Sequence, residues 1–259
     1  MSVDLTPLEP TQASGLTQQT GQPPQPSVDV LKTLSDKISR LETRLNYIAE
    51  QAADSRLASS LAAEDMVLTD AIARKKLAID IFTLETGKLH TETLALLSAI
   101  KHHYGLNVRT VTPNSAATSL YEAEHGLSAF YESVALRQRC CFIRKIEPLN
   151  RALTGADAWL TGQRQTQSVT RTTLPFQELD AERQIPKFNP LFDWSEGDVW
   201  AYIAHFNVPT NALYQQGYPS IGCEPCTKPV RAEEDIRAGR WWWENQDSKE
   251  CGLHRIQKP

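Results

Sequence analysis

The sequence predicts an α/β protein with a mostly parallel sheet flanked by helices. Two observations carry this. An apolar, β-favouring run, Ala78-Ile79-Asp80-Ile81-Phe82-Thr83-Leu84, is followed by a loop, Glu85-Thr86-Gly87-Lys88, and then by a helical stretch over 90–104. The same order precedes it: strand-like residues 57–60, a turn at 61–63, and a helical stretch over 64–74 with Met66, Val67 and Ile72 inward. Apolar runs bounded by loops suit strands buried on both faces, and repeated strand–loop–helix units cover a parallel sheet with helices. In such folds ligands sit beyond the carboxyl ends of the strands. The loops at 59–65 and 85–90 are therefore the first candidates for a site.

Taken in order, residues 1–26 are rich in Pro, Gln, Thr and Ser and carry no Lys or Arg. Such a segment cannot offset its ordering entropy by burial, so a disordered extension is expected, followed by one domain over 27–259. Leu31, Leu34, Ile38, Leu41, Leu45 and Ile48 alternate spacings of three and four and fall on one helical stripe. That stripe packs either on the domain's own core or in a short coiled-coil seam between subunits. Gly105 is a left-handed helix stop, and 107–112 reads as another strand. Ala156-Asp157-Ala158-Trp159-Leu160 leads into a third loop, 161–171, which carries Arg164 and Arg171. Residues 186–191 are extended, and Ser195-Glu196-Gly197-Asp198 resembles a capping box opening a helix with Val199, Trp200, Ile203 and Phe206. Residues 207–220 read as loop, and a C-terminal tail begins near 241.

The whole-chain numbers exclude some classes. At 259 residues and net charge −4 there is no global basic field for nucleic acid. No apolar run approaches the roughly 20 residues of a membrane helix, and the N-terminus lacks the pattern of a secretory signal. A soluble cytoplasmic protein is expected. Five cysteines, an odd number, do not read as a secreted disulfide framework. Metal binding or catalysis is the better expectation.

The cysteines divide into two pairs and a remainder. Cys223-x-x-Cys226 and Cys140-Cys141 offer four soft ligands, which select zinc or an iron–sulfur cluster. Spacing alone favours structural zinc, with buried thiols and no metal as the plainer alternative. Both pairs have basic neighbours: Arg137, Arg139, Arg144 and Lys145 on one side, Lys228, Arg231, Arg237 and Arg240 on the other. These cations balance thiolate charge or hold an anion, or are simply solvated. Cys251 stands apart, near Lys249, His254 and Arg255, where a thiol is poised as a nucleophile or is incidental. No Walker loop or G-x-G-x-x-G occurs. The Ser59–Asp65 turn could hold an anion at a helix N-terminus or could simply cap it.

Together these stretches resemble the assimilatory adenylylsulfate (APS) reductases, the thioredoxin-dependent, iron–sulfur branch of the phosphoadenylylsulfate (PAPS) reductase family. The carriers are Ser59-Ser60-Leu61-Ala62-Ala63-Glu64-Asp65, Leu84-Glu85-Thr86-Gly87-Lys88-Leu89-His90, Cys140-Cys141 with Arg144-Lys145-Ile146-Glu147-Pro148-Leu149, the 161–171 loop, Gly222-Cys223-Glu224-Pro225-Cys226-Thr227, Arg237-Ala238-Gly239-Arg240-Trp241-Trp242-Trp243 and Glu250-Cys251-Gly252-Leu253-His254. The resemblance implies an adenine nucleotide α-hydrolase-like fold and reduction of APS by thioredoxin to sulfite and AMP. It implies a [4Fe-4S] cluster on Cys140, Cys141, Cys223 and Cys226, replacing the zinc expectation, and an S-sulfocysteine intermediate on Cys251. Ser59, Ser60, Glu64, Thr86 and Gly87 would then hold the adenosine end. Arg164 and Arg171 would meet the phosphosulfate or ribose side. Lys145, Arg237, Arg240 and His254 would neutralise the charge of the reacting anion. The chain departs from the family pattern at Ala62 (for Gly), Gln165 (for Arg), Glu85 (for Asp) and Lys88 (for Arg). A Gly at position 62 would serve a positive φ or a close backbone approach, so the alanine bears on nucleotide affinity. A PAPS-preferring or dual-specific reductase and a zinc-stabilised nucleotide-sensing module are the alternatives. Oligomeric state, including a homo-oligomer, stays open.

Overall fold

The structure, a computed structural model, describes residues 27–167, 173–231 and 233–244. The 1–26 extension, Arg171, Cys251 and His254 lie outside the described residues. Among those described, one sheet contains β1 (Ser55–Ala58), β2 (Ile79–Leu84), β3 (Arg109–Val111), β4 (Ala158–Leu160), β5 (Gln177–Asp180) and β6 (Ile185–Phe188). Their order is β3-β2-β1-β4-β6-β5, and every pairing is parallel except that of β5 with β6. Leu57 of β1 pairs with Ile81 of β2 on one side and Leu160 of β4 on the other. From β1 the chain builds outward through β2 and β3; β4 starts the other half. The boundary between β1 and β4 is thus the topological switch point, where open α/β sheets bind ligands.

Helices α1 (Val28–Gln51), α2 (Ala63–Lys75), α3 (Thr91–Tyr104) and α7 (Glu196–Phe206) contribute to the main core with Leu57, Ile79, Ile81 and Leu160. α6 (Glu147–Leu153) packs Leu149 and Leu153 on Phe82, Val111 and Trp159 in a second core. From Leu34 onward the α1 stripe is core packing: Leu34, Leu41, Leu45 and Ile48 are buried, three of them completely, and Ile38 is half-buried against them, whereas Leu31, in the first turn, is exposed. Each such side chain contributes about 1.5–3 kcal/mol by leaving water. Arg44 fixes the docking with a two-pronged pair to Asp193 at 2.7 and 2.8 Å, and Lys37 donates to the Asp193 carbonyl at 2.7 Å. α7 opens on the predicted capping box: Asp198 N–H donates to Ser195 Oγ and Ser195 N–H to the Asp198 carboxylate. α3 ends at Gly105 with φ 70°.

A third core is made by α4 (Ser115–His125) and α5 (Val134–Cys141), where Tyr121, Phe130, Cys140, Cys223, Cys226 and Trp241 pack together. α5 runs directly into a π-helical turn, Phe142–Ile146, before α6 begins. No described helix is long and apolar enough to cross a membrane.

Candidate active site

The loops leaving β1 and β4 meet at the switch point and lock onto each other. Ser60 donates to Asp65 Oδ2 through both its backbone N–H and its hydroxyl, each at 2.6 Å, and Gly162 N–H donates to Asp65 Oδ1 at 3.1 Å. Ser59 Oγ accepts from Leu61 N–H at 3.1 Å, which holds Leu61 at φ 61°. Arg164 donates from Nε and Nη2 to Glu64 Oε1 at 2.9 and 2.8 Å, and Gln167 adds a third donor at 2.9 Å. Ser59, Ser60, Glu64 and Arg164, named from sequence, are therefore brought together, and their polar groups satisfy one another. Gly162 is needed here: a Cβ would sit 2.9 Å from Glu64 Cβ and collide with the Asp65 carboxylate. Ala62 is the N-cap of α2 with φ −76° and ψ 168°, so no positive φ is required at the position that departs from the family pattern. Leu61 carries the left-handed conformation instead. Tyr214, from a 3-10 turn (Ala212–Gln216) in the stretch expected to be loop, accepts Ala63 N–H at 2.8 Å. No sequence signal linked a tyrosine so far along the chain to this helix start.

Asp65, which the sequence offers only as the last residue of the Ser59–Asp65 motif, joins both loops. Burial pushes its carboxyl up to about 6, against the opposing effect of the Ser60 and Gly162 donors. A carboxyl raised above its unfolded value of 3.8 favours the fold while protonated, and that contribution is lost as pH rises from 3.8 through about 6. The loss is on the order of 3 kcal/mol. Denaturant midpoints measured from pH 4 to 7 should fall across this window, and Asp65→Asn should remove that slope while lowering the plateau through its lost second acceptor.

The loop after β2, the strand next to β1, reaches the cysteines. Thr86, fully buried, places its hydroxyl 3.3 Å from Cys223 Sγ and accepts Lys88 N–H at 3.2 Å. Glu224 N–H donates to the Lys88 carbonyl at 2.8 Å, and Leu89 bridges Cys223. Exposed Gly87 has φ 70°, and a Cβ there would crowd Arg144 Nη1 at 3.2 Å. That guanidinium donates to the Thr86 carbonyl at 2.7 Å and to Glu122 at 2.7 Å.

Cys140, Cys141, Cys223 and Cys226 are free thiols, all buried, and all line one small cavity with Lys88, Phe130, Arg137, Arg144, Lys145 and Pro225. Adjacent cysteines diverge on a helix, but at the end of α5, where the backbone enters the π-turn, both border the cavity. Burial raises the Cys140 thiol, opposed by Arg144 and Lys88. Burial pushes Cys226 up to about 12, opposed by Lys145 and Arg240. Arg137 reaches Cys141. Every thiol but Cys223 thus faces a named cation, and Cys223 faces the Thr86 hydroxyl. Among the described residues no three His, Cys, Asp or Glu side chains gather as a site for a single metal ion.

The segment after the C-x-x-C folds back over it. Lys228 N–H donates to the Gly239 carbonyl at 3.0 Å and Trp241 N–H to the Cys226 carbonyl at 3.1 Å. Arg240 is buried, packs 4.8 Å from the Trp241 ring and donates to the Ile221 carbonyl. Arg237 is half-buried on the same segment. Lys145, Arg237 and Arg240 are therefore all at the cysteine end, as Thr86 and Gly87 are, while Ser59, Ser60, Glu64 and Arg164 lie at the switch point.

This arrangement has relatives. The phosphoadenosine phosphosulfate reductase domain matches residues 55–229, from the first residue of β1 to just beyond the C-x-x-C. The chain belongs to that family. Relatives named adenosine 5'-phosphosulfate reductase include one from Neisseria meningitidis serogroup B, 60% identical, with 86% of this chain and 91% of that one aligned. One from Burkholderia cepacia is 56% identical over 85% and 88%, and one from Allochromatium vinosum 51% identical over 90% and 90%. Among solved structures, a PAPS reductase from Candida auris, in a phosphate complex, has a TM-score of 0.64 at 25% identity, covering 79% of this chain and 98% of that one. An FMN adenylyltransferase from Candida glabrata has a TM-score of 0.55 at 12% identity, covering 86% and 80%, a likeness of fold alone. The mostly parallel sheet flanked by helices is as expected from the sequence.

Proposed function

We propose that this chain is an assimilatory APS reductase, converting adenosine 5'-phosphosulfate to sulfite and AMP with electrons from a thioredoxin-type dithiol. The observation that carries the reading is the junction at Thr86. The Thr86 hydroxyl, on the loop after the strand that pairs with β1, touches Cys223 in a cavity lined by four buried thiols, in a chain 60% identical to a protein of that name.

Cys251 acts as the nucleophile. Its thiolate sulfur attacks the sulfonyl sulfur of APS; the S–O bond to phosphate breaks, and the electron pair leaves with AMP. Cys251 then carries a sulfo group through a new S–S bond. A thiolate of the reductant attacks the Cys251 sulfur, and sulfite departs with the bonding pair. The reductant's second thiol resolves the mixed disulfide, regenerating the Cys251 thiolate and leaving the reductant oxidised. Lys145, Arg237, Arg240 and His254 offset the negative charge that attack on a phosphosulfate brings together. Arg171 joins Arg164 on the phosphosulfate or ribose side. Ser59, Ser60 and Glu64 shape the adenosine end, while Thr86 and Gly87, expected there, border the substrate from the cysteine side.

The four buried thiols suit a soft metal group, and the surrounding cations suit a set of thiolates. Cys140, Cys141, Cys223 and Cys226 would hold a [4Fe-4S] cluster, which supplies structural order and a local field beside the substrate. Free thiols of this kind persist in the reducing cytoplasm, the expected location.

The test is turnover. Purified aerobically or anaerobically as holoprotein, the chain should be brown, contain four iron and reduce APS far faster than PAPS. A colourless protein with one zinc, or a clear preference for PAPS, sinks this reading in favour of the sensing module or the PAPS-using branch.

A further inference from the structure

We propose that the buried Arg137–Glu244 pair is a positioning clasp, fixing the point from which the chain departs toward Cys251 relative to the cysteine-lined cavity. The inference rests on the reading of Cys251 as nucleophile. Arg137 is fully buried on α5, one turn before Cys141. Its Nε and Nη2 donate to the two carboxylate oxygens of Glu244, both at 2.8 Å, and the Glu244 side chain is itself almost completely buried. The same guanidinium lies 4.6 Å from the Trp241 ring and reaches the Cys141 thiol. One cation therefore touches a cavity cysteine, the tryptophan that hydrogen-bonds the other cysteine loop, and the carboxylate next to the tail.

Two features separate this from ordinary core packing. Trp241 holds a φ of 42°, unfavourable for a residue with a Cβ, and Glu244 N–H donates to its carbonyl at 2.9 Å. The backbone is thus turned at a cost to deliver Glu244 to Arg137. Glu244 is also close in sequence to Cys251, with six residues between them. Seven extended residues reach at most about 25 Å, so the anchor point limits where the thiolate can arrive. A bidentate carboxylate–guanidinium pair is the residue choice that fixes direction as well as distance.

The test compares Glu244→Gln with the unaltered holoprotein in iron content, KM for APS, alkylation of Cys251 by iodoacetamide, and single-turnover formation of the sulfo-enzyme. Expected are unchanged iron, KM and alkylation rate, with sulfo-enzyme formation and kcat lower by about tenfold or more, since misplacement penalises the reacting geometry alone. Glu244→Asp, which keeps the charge and shortens its reach, should fall between. Normal sulfo-enzyme formation in Glu244→Gln overturns the clasp, as does a loss that merely parallels lost iron. Should Glu244→Gln not fold, an iron-replete Glu244→Asp with the unaltered rate overturns it too. Cys251→Ser in the same assay separates the two levels: if it still forms sulfo-enzyme, the nucleophile reading fails; if it does not and Glu244→Gln is normal, only the clasp fails.

Discussion

Cys251→Ser is expected to abolish APS reduction, by about 10⁴-fold or more, while leaving iron content, colour and AMP binding intact. The size follows from chemistry. A thiolate is nucleophilic near neutral pH, whereas a serine hydroxyl without a base to ionise it is not, and removing a nucleophile typically costs several orders of magnitude in kcat. The selectivity follows from placement. Asp65, Glu64, Arg164 and Gly162 hold the crevice through contacts with one another and with Ser60, and the cavity is lined by four other cysteines. Labelled APS followed by mass analysis of the intact chain checks it: the unaltered protein gains one sulfo group before reductant is added, and the variant gains none. A labelled variant would place the covalent step on another thiol.

Much of the scaffold was legible because periodicity and punctuation reported it directly. The α1 stripe, the Ile79–Leu84 run, the Gly105 stop and the Ser195 capping box each have a local physical cause, and each element is found. What escaped depends on long-range pairing. β5 reads Gln-Glu-Leu-Asp, an edge strand with no apolar face, and exists because β6 offers it a partner. α5 and the π-turn after it carry Cys140, Cys141, Arg144 and Lys145, a stretch too polar to announce a helix, in which Arg144 is met by Thr86 and Glu122 and Arg137 by Glu244, all from elsewhere. The site divides in the same way. That four cysteines belong together was readable from their residue type and neighbours. That Arg164 is engaged by Glu64, that Asp65 joins two loops and that Tyr214 holds the start of α2 was not, because each partner lies about 100 residues or more from the other, or was hidden inside a motif.

Cys226→Ser should do the reverse of Cys251→Ser: lose iron, visible absorption and turnover together, while AMP binding at the switch point persists. Serine has nearly the size of cysteine but offers a hard oxygen that stays protonated, so it is a poor ligand for iron. At this position it also leaves a hydroxyl in a site with little water, which destabilises by about 1–3 kcal/mol when no partner is found. The larger effect is electrostatic. Lys145 and Arg240 face Cys226, and Lys88 and Arg144 face Cys140. With thiolates and their metal group gone, these cations surround a neutral cavity and repel one another. Arg144 and Arg137 keep Glu122 and Glu244, so the wall loosens rather than unfolds. The nucleotide end is insulated, because its polar groups close on Asp65 and Glu64. Iron assay, AMP titration and denaturant midpoint on one preparation distinguish the cases. Retained iron with full turnover would mean that Cys226 is no ligand. Lost AMP binding would mean that the Thr86 loop transmits the collapse of the cysteine wall to the crevice, making the two ends one cooperative unit.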